Sequence, residues 1–180
     1  NDNNKSITQS QEEEKAQDEM VVDTSVYYTI LNQSNGASLI ADPPSETEPA
    51  FAYIKGLGKH SFTDNEMFVL NLIAPDTYVI ISKQSGGILS VNENENGYVY
   101  IQVIKADTNT DHQWLPSQTF GIRQKKDGLF QIDVLMKEKM GQVIGIDTSQ
   151  HEWGQYTILV NNDESLSTQW QLMPTNVKVN

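Results

Sequence analysis

Three stretches of this chain repeat one another at intervals of about fifty residues, and few folds accept such a pattern. Tyr28-Thr29-Ile30-Leu31, Tyr78-Val79-Ile80-Ile81 and Phe130-Gln131-Ile132-Asp133 align as openings, 50 and then 52 residues apart. Each leads through a polar turn containing Gly to an apolar triplet and a polar residue. These are Leu39-Ile40-Ala41-Asp42, Leu89-Ser90-Val91-Asn92 and Ile144-Gly145-Ile146-Asp147. The third copy carries three extra residues in that turn, around Lys137-Glu138-Lys139. A further strand is centred on Ile54, Ile101 and Ile158. The units close at Asp64-Asn65-Glu66-Met67, Asp111-His112-Gln113-Trp114 and Ser167-Thr168-Gln169-Trp170, which aligns Met67 with Trp114 and Trp170, 47 and 56 residues apart. One such unit leaves strand edges and an apolar face uncovered, whereas three around an axis close a barrel. Each closing Trp is expected to be buried at the seam between units, with Met67 as a pliable filler in the first.

Local texture agrees. Short apolar or alternating runs at 27–31, 38–41, 50–54, 67–73, 78–82, 88–91, 98–104, 118–122, 129–135, 143–146, 156–160 and 170–173 read as strands. Asn35-Gly36, Pro43-Pro44, Gly86-Gly87, Asn96-Gly97 and Asp127-Gly128 fall between them as turns. No run sustains a 3.6-residue apolar period. The fold expected is all-β, three four-stranded repeats with pseudo-threefold symmetry over residues 26–174. Residues 1–25 are rich in Asn, Gln and Glu and carry Glu12-Glu13-Glu14. They cannot bury enough apolar surface to offset ordering, so a disordered acidic tail is expected, and residues 175–180 form a short C-terminal tail.

With 12 basic and 24 acidic side chains the formal charge is −12. That field repels phosphate and argues against nucleic acid and anionic membranes as partners. No apolar run is long enough for a membrane span, so membrane insertion is not expected. The chain has no Cys, which rules out disulfides and thiolate metal sites. Residue 1 is Asn rather than Met; the expectation is a processed or excised chain, with a secreted or extracellular setting preferred to a cytoplasmic one.

The paired openings YYTILNQSNGASL and YVIISKQSGGIL, with the closing DHQW (Asp111 to Trp114) and STQW (Ser167 to Trp170), carry a resemblance to the ricin-B-type β-trefoil lectins. It spans nearly the whole of residues 26–174. The resemblance implies a β-trefoil and a non-catalytic, carbohydrate-binding role. The family's motif is Gln-x-Trp; here Gln113 and Gln169 stand one position nearer the Trp. The resemblance further implies, in each competent repeat, an Asp within the triplet that accepts from two sugar hydroxyls, an aromatic one strand later, and an Asn near the closing motif. Ile40, Ser90 and Gly145 occupy the Asp position, and Asp42, Asn92 and Asp147 lie two residues on.

The third repeat offers Asp147, Gln150, His151, Trp153 and Asn162 on either side of a strand-loop-strand. Trp153 lies in a polar stretch, where an exposed ring could cover the C–H face of a sugar while neighbouring polar groups bind its hydroxyls. The structural alternative has Trp153 packed over the barrel rim and Asp147 closing a turn. The second repeat offers Asn92, Asn94, Tyr98, Tyr100 and Asn109, residue types that also make ordinary turns and strands. Catalysis finds little footing: His60, His112 and His151 are scattered, and no nucleophile elbow, His-x-x-x-His pair or phosphate-cradling loop occurs. No cofactor or metal is expected. The rival reading is a protein-binding trefoil, such as a protease-inhibitor-like domain or a targeting module of a larger secreted protein or toxin. It draws on the proline-rich loop at 43–49 and the insertion at 137–140. Asn4 and Asn32 begin Asn-x-Ser sequons.

Overall fold

The computed structural model describes residues 22–55, 62–106, 113–149 and 151–180. The acidic stretch 1–21 lies outside them. Among the described residues the chain is all β, with twelve strands and five single turns of 3-10 helix. The strands are β1 (Val26–Asn32), β2 (Leu39–Ala41), β3 (Ala50–Ile54), β4 (Phe68–Ala74), β5 (Thr77–Ser82) and β6 (Ile88–Glu93). They continue as β7 (Val99–Ile104), β8 (Phe120–Gln124), β9 (Phe130–Val134), β10 (Gln142–Ile146), β11 (Gln155–Asn161) and β12 (Trp170–Lys178). The last strand runs through the boundary drawn after residue 174: Lys178 pairs with Val26, and Val179 N donates to Ser25 O at 2.8 Å.

Six strands close on themselves. β1 pairs with β4, β4 with β5, β5 with β8, β8 with β9, β9 with β12 and β12 with β1, all antiparallel. The remaining six form three hairpins, β2–β3, β6–β7 and β10–β11, and the second strands of these pair with one another: β3 with β7, β7 with β11 and β11 with β3. Thr157 on β11 adds a side-chain bond to Ala52 O on β3 at 2.7 Å. Closure leaves little free edge, which is the physical advantage of this arrangement over an open sheet. Ile30, Leu70, Ile80, Ile122, Ile132, Leu89, Ile101 and Ile144 fill the interior.

The openings pair as their alignment implies. Tyr28 faces Phe68, Tyr78 faces Phe120 and Phe130 faces Trp170. After β1 and β5 the chain turns identically: Gly36 N and Gly86 N donate to Asn32 O and Ser82 O at 2.8 and 2.9 Å, with φ of +69° at both glycines. That left-handed conformation is costly for any residue with a Cβ.

The closing elements require a correction. Phe68, Phe120 and Trp170 each begin a strand with no exposed surface, whereas Trp114 is only half-buried and precedes a 3-10 turn. In all three places a tight turn buries a polar side chain two residues before the aromatic. Glu66, Gln118 and Thr168 fill that position, 52 and 50 residues apart. Their N–H groups donate to Thr63 O, Leu115 O and Ser165 O at 2.9 to 3.0 Å. Glu66 and Gln118 also reach back to accept from Thr63 N and Leu115 N at 3.2 and 3.1 Å. The seam element is therefore polar-x-aromatic, and Gln118-Thr119-Phe120 carries it in the second unit. A phenyl ring, Phe68 or Phe120, fills this space at two seams and the indole of Trp170 fills it at the third. Trp170 adds a hydrogen bond from Nε1 to Ile144 O at 3.0 Å.

Candidate functional site

Positions 40, 90 and 145 are buried within β2, β6 and β10. A Cβ on Gly145 would come within 2.8 Å of Val160 Cγ2. These residues have no access to a ligand. The polar groups two residues on lie at the strand ends, and each meets a tyrosine hydroxyl. Tyr53 donates to Asp42 Oδ1 at 3.2 Å, Asn92 Nδ2 donates to Tyr100 at 2.7 Å, and Tyr98 donates to Asp147 Oδ2 at 2.6 Å. The first two bonds stay within one hairpin; the third ties the β6–β7 hairpin to β10–β11.

Around these groups runs a chain of touching rings. Trp153 meets Tyr53 edge-on at 5.6 Å and Tyr156 at 4.5 Å. Tyr156 meets Phe51 at 5.0 Å, Phe51 meets Tyr100 at 5.4 Å, and Tyr100 stacks on Tyr98 at 5.8 Å. His151 lies parallel over Trp153, 4.9 Å away and 4° from coplanar, and so covers one indole face. Strand alternation sets this surface. On β3, Ala52 and Ile54 point into the core while Phe51 and Tyr53 point out; on β7, Ile101 and Val103 point in and Tyr100 out. Phe51 and Trp153 remain 42% and 39% exposed.

Trp153 is held by a tight turn in which His151 and Gly154 exchange backbone hydrogen bonds of 3.1 Å. Gly154 has φ of +136°, and a Cβ there would fall 2.0 Å from Ile54 O. Glycine alone lets this loop lie against β3.

Asp147 is built into the same frame. Its Oδ1 accepts from Ser149 N at 2.9 Å, its own N–H donates to Tyr156 O, and Gln155 Nε2 donates to its carbonyl at 2.8 Å. The Tyr98 hydroxyl, and after it Ser149, hold its carboxyl below the usual carboxylate range. Burial, then the Asp147 hydrogen bond and charge, push the Tyr98 phenol up. Burial and the charge of Asp42 likewise push Tyr53 up to about 12.

Of the residues singled out from sequence, Asp147, His151, Trp153, Tyr98, Tyr100 and Asn92 come together here. Asn94 is exposed, and its Oδ1 accepts from Asn96 N and Tyr98 N and shapes the β6–β7 turn. Asn162 accepts from Glu164 N in the loop after β11. Gln150 and Asn109 lie outside the described residues, as do His60 and His112. Sequence reasoning missed Phe51, Tyr53 and Tyr156, although Ala50-Phe51-Ala52-Tyr53 shows the period-two signal that places both rings on the face opposite Ala52. Among the described residues no three His, Asp or Glu side chains form a group able to hold a metal ion. No described helix is long and apolar enough to cross a membrane.

No protein-family model matches the chain, and no curated protein matches its sequence. Solved structures do. A designed threefold-symmetric protein, ThreeFoil, is similar with a TM-score of 0.66 at 17% identity, covering 82% of this chain and 97% of its own. The Macrolepiota procera ricin B-like lectin, solved in complex with lactose, is similar with a TM-score of 0.62 at 16% identity, covering 87% of this chain and 100% of its own. A mosquitocidal holotoxin gives 0.68 at 16% identity over 86% of this chain but only 18% of its own length. At such identities the likeness is one of fold. The fold is a β-trefoil.

Proposed function

We propose that this chain is a non-catalytic, lectin-like module of the ricin-B type that binds carbohydrate at the rings around Trp153, the domain consisting of three four-stranded units about a pseudo-threefold axis. The observation that carries the reading is the half-exposed Trp153 packed on Tyr156, whose carbonyl accepts from the N–H of Asp147, a carboxylate that keeps lone pairs free after accepting from Tyr98 and Ser149. Sugar hydroxyls need fixed acceptors, and the sugar's C–H face needs an exposed ring. Both are provided here by a frame of short hydrogen bonds, so little ordering is needed on binding. The lactose complex of the Macrolepiota lectin adds support by analogy of fold.

A glycan array screened with the full chain and with Trp153→Ala tests this reading. Glycan hits that vanish in the variant are expected; an array without hits at millimolar sensitivity would overturn it. The rival, a protein-binding trefoil such as an inhibitor-like domain or a targeting module of a larger secreted protein or toxin, draws on exposed Phe62, Leu115, Met140 and Leu166. The loop at 43–49, stiffened by its prolines, is fastened further: Glu48 N donates to Ser45 Oγ at 2.9 Å and Glu46 pairs with Lys105 at 2.5 Å. Pull-downs that depend on Met140 and not on Trp153 would favour the rival.

A further inference from the structure

We infer that the ligand of this surface is an extended oligosaccharide, uncharged or amino-bearing, lying across the ends of all three hairpins rather than a single sugar held by one. The inference rests on the carbohydrate reading and deepens it. Each hairpin has a polar group and a ring of its own, Asp42 with Tyr53, Asn92 with Tyr100 and Asp147 with Trp153, but the rings of the three hairpins are continuous with one another. Here Phe51 and Tyr53 come from β3, Tyr98 and Tyr100 from β7 and the turn before it, and Trp153 and Tyr156 from β11 and its preceding loop. Every ring in the run Tyr53, Trp153, Tyr156, Phe51, Tyr100, Tyr98 touches the next, at centroid steps of 4.5 to 5.8 Å. That run is several rings long, far more than one pyranose covers.

The middle of the run is open to solvent. Phe51, packed between Tyr156 and Tyr100, keeps 42% of its surface in contact with solvent and, with Trp153 at 39%, gives the run two open ring faces that an apolar cover would bury. Sugar C–H faces repeat along a chain and present such a cover at each unit. The groups hydrogen-bonded to the rings are Asp42, Asn92 and Asp147, two carboxylates and an amide, one from each hairpin. They suit hydroxyl and amine donors and repel sialic, uronic or sulfated residues, in keeping with the −12 charge of the chain.

The test is titration calorimetry of the full chain against glucose, galactose, N-acetylglucosamine, glucosamine and their β-linked oligomers from monosaccharide to hexasaccharide, with lactose and sialyl-lactose as a charge pair. Affinity for the preferred series is expected to rise about tenfold from monosaccharide to trisaccharide, and sialylation to lower it. Phe51→Ala and Tyr100→Ala should bring the trisaccharide-to-monosaccharide ratio towards one, while Phe51→Tyr, which keeps the ring, should restore it. Circular dichroism confirms that each variant is folded. Monosaccharide binding that does not strengthen with chain length, or a ratio untouched in Phe51→Ala, overturns the extended site and leaves the carbohydrate reading standing. Tighter binding of sialyl-lactose than of lactose overturns the charge assignment. Failure of every sugar at every length sinks both readings.

Discussion

Phe68, Phe120 and Trp170 expose nothing, while Phe51 and Trp153, residues of the same types, keep about two fifths of their surface in water. The difference lies in the backbone that carries them. The first three follow a 3-10 turn whose buried polar side chain ties down the chain just before a barrel strand begins. The other two sit on the outward face of a hairpin strand and on a loop braced by Gly154. One set of rings closes the barrel, and its form recurs at all three seams. The other set recurs only in part: Phe51, Tyr100 and Tyr156 each precede the residue paired with the last residue of a hairpin's apolar triplet (Ala52 with Ala41, Ile101 with Val91, Thr157 with Ile146), whereas Glu48 and Gly97 stand where the third hairpin has Trp153. In this molecule the recurring rings pack the seams and the faces of the hairpins, and Trp153, the ring without a counterpart, sits on a loop of its own where the proposed ligand would meet it.

The comparison breaks most readily at the two tryptophans. Trp170→Ala should cost about 3–5 kcal/mol, read from urea or thermal unfolding, as a fully buried aromatic and its Nε1 bond are lost. Trp153→Ala should cost about 1 kcal/mol or less while removing glycan binding. Equal destabilisation by the two would erase the distinction.

Gly154→Ala comes next. The left-handed backbone and the approach to Ile54 O predict a loss of about 1–3 kcal/mol. Binding should fall too, because the turn carrying Trp153 must lift from β3; unchanged thermal stability would show that the contact is dispensable.

Tyr98→Phe should cost about 1 kcal/mol and let the Asp147 carboxyl rise towards the usual range, followed by NMR titration. The sign of the acid effect follows. Asp147 titrates lower in the folded chain than unfolded, so its contribution is present above the unfolded value of about 4 and is lost as pH falls through the lowered folded one. The variant should flatten that part of the acid unfolding curve.

The smallest effect is expected for Glu66→Gln, within about 1 kcal/mol in the same unfolding assay, since Gln118 performs the same backbone bond at its own seam. A larger loss would mean that the charge at Glu66, bonded to Ser38 and Thr63, is needed.

Much of the architecture was legible because period-two burial and turn chemistry act locally. The openings were found in register, as the facing pairs Tyr28–Phe68 and Tyr78–Phe120 bear out. The second closing element is less legible: Asp111-His112-Gln113-Trp114 matches Ser167-Thr168-Gln169-Trp170 in residue type, whereas the seam is defined by a buried polar side chain two positions before an aromatic, Gln118 before Phe120. The candidate site was half legible. Trp153, His151, Asp147 and Tyr98 stand out in polar surroundings, but Phe51 and Tyr156 join them only through pairing of β3, β7 and β11. Those pairings link residues roughly fifty to a hundred positions apart, and no local pattern reports them.

Asn32 heads an Asn-x-Ser sequon, yet it has no exposed surface and its Nδ2 donates to Ser167 O at 2.9 Å. In a host that attaches glycans to nascent chains, its amide would stay reachable until a partner 135 residues downstream had been synthesised. A glycan fixed there would stop β1 and β12 from meeting, so occupancy at Asn32 would count the chains modified before the ring could shut. A host without that machinery has no such loss, which makes the choice of expression organism a structural matter for this protein.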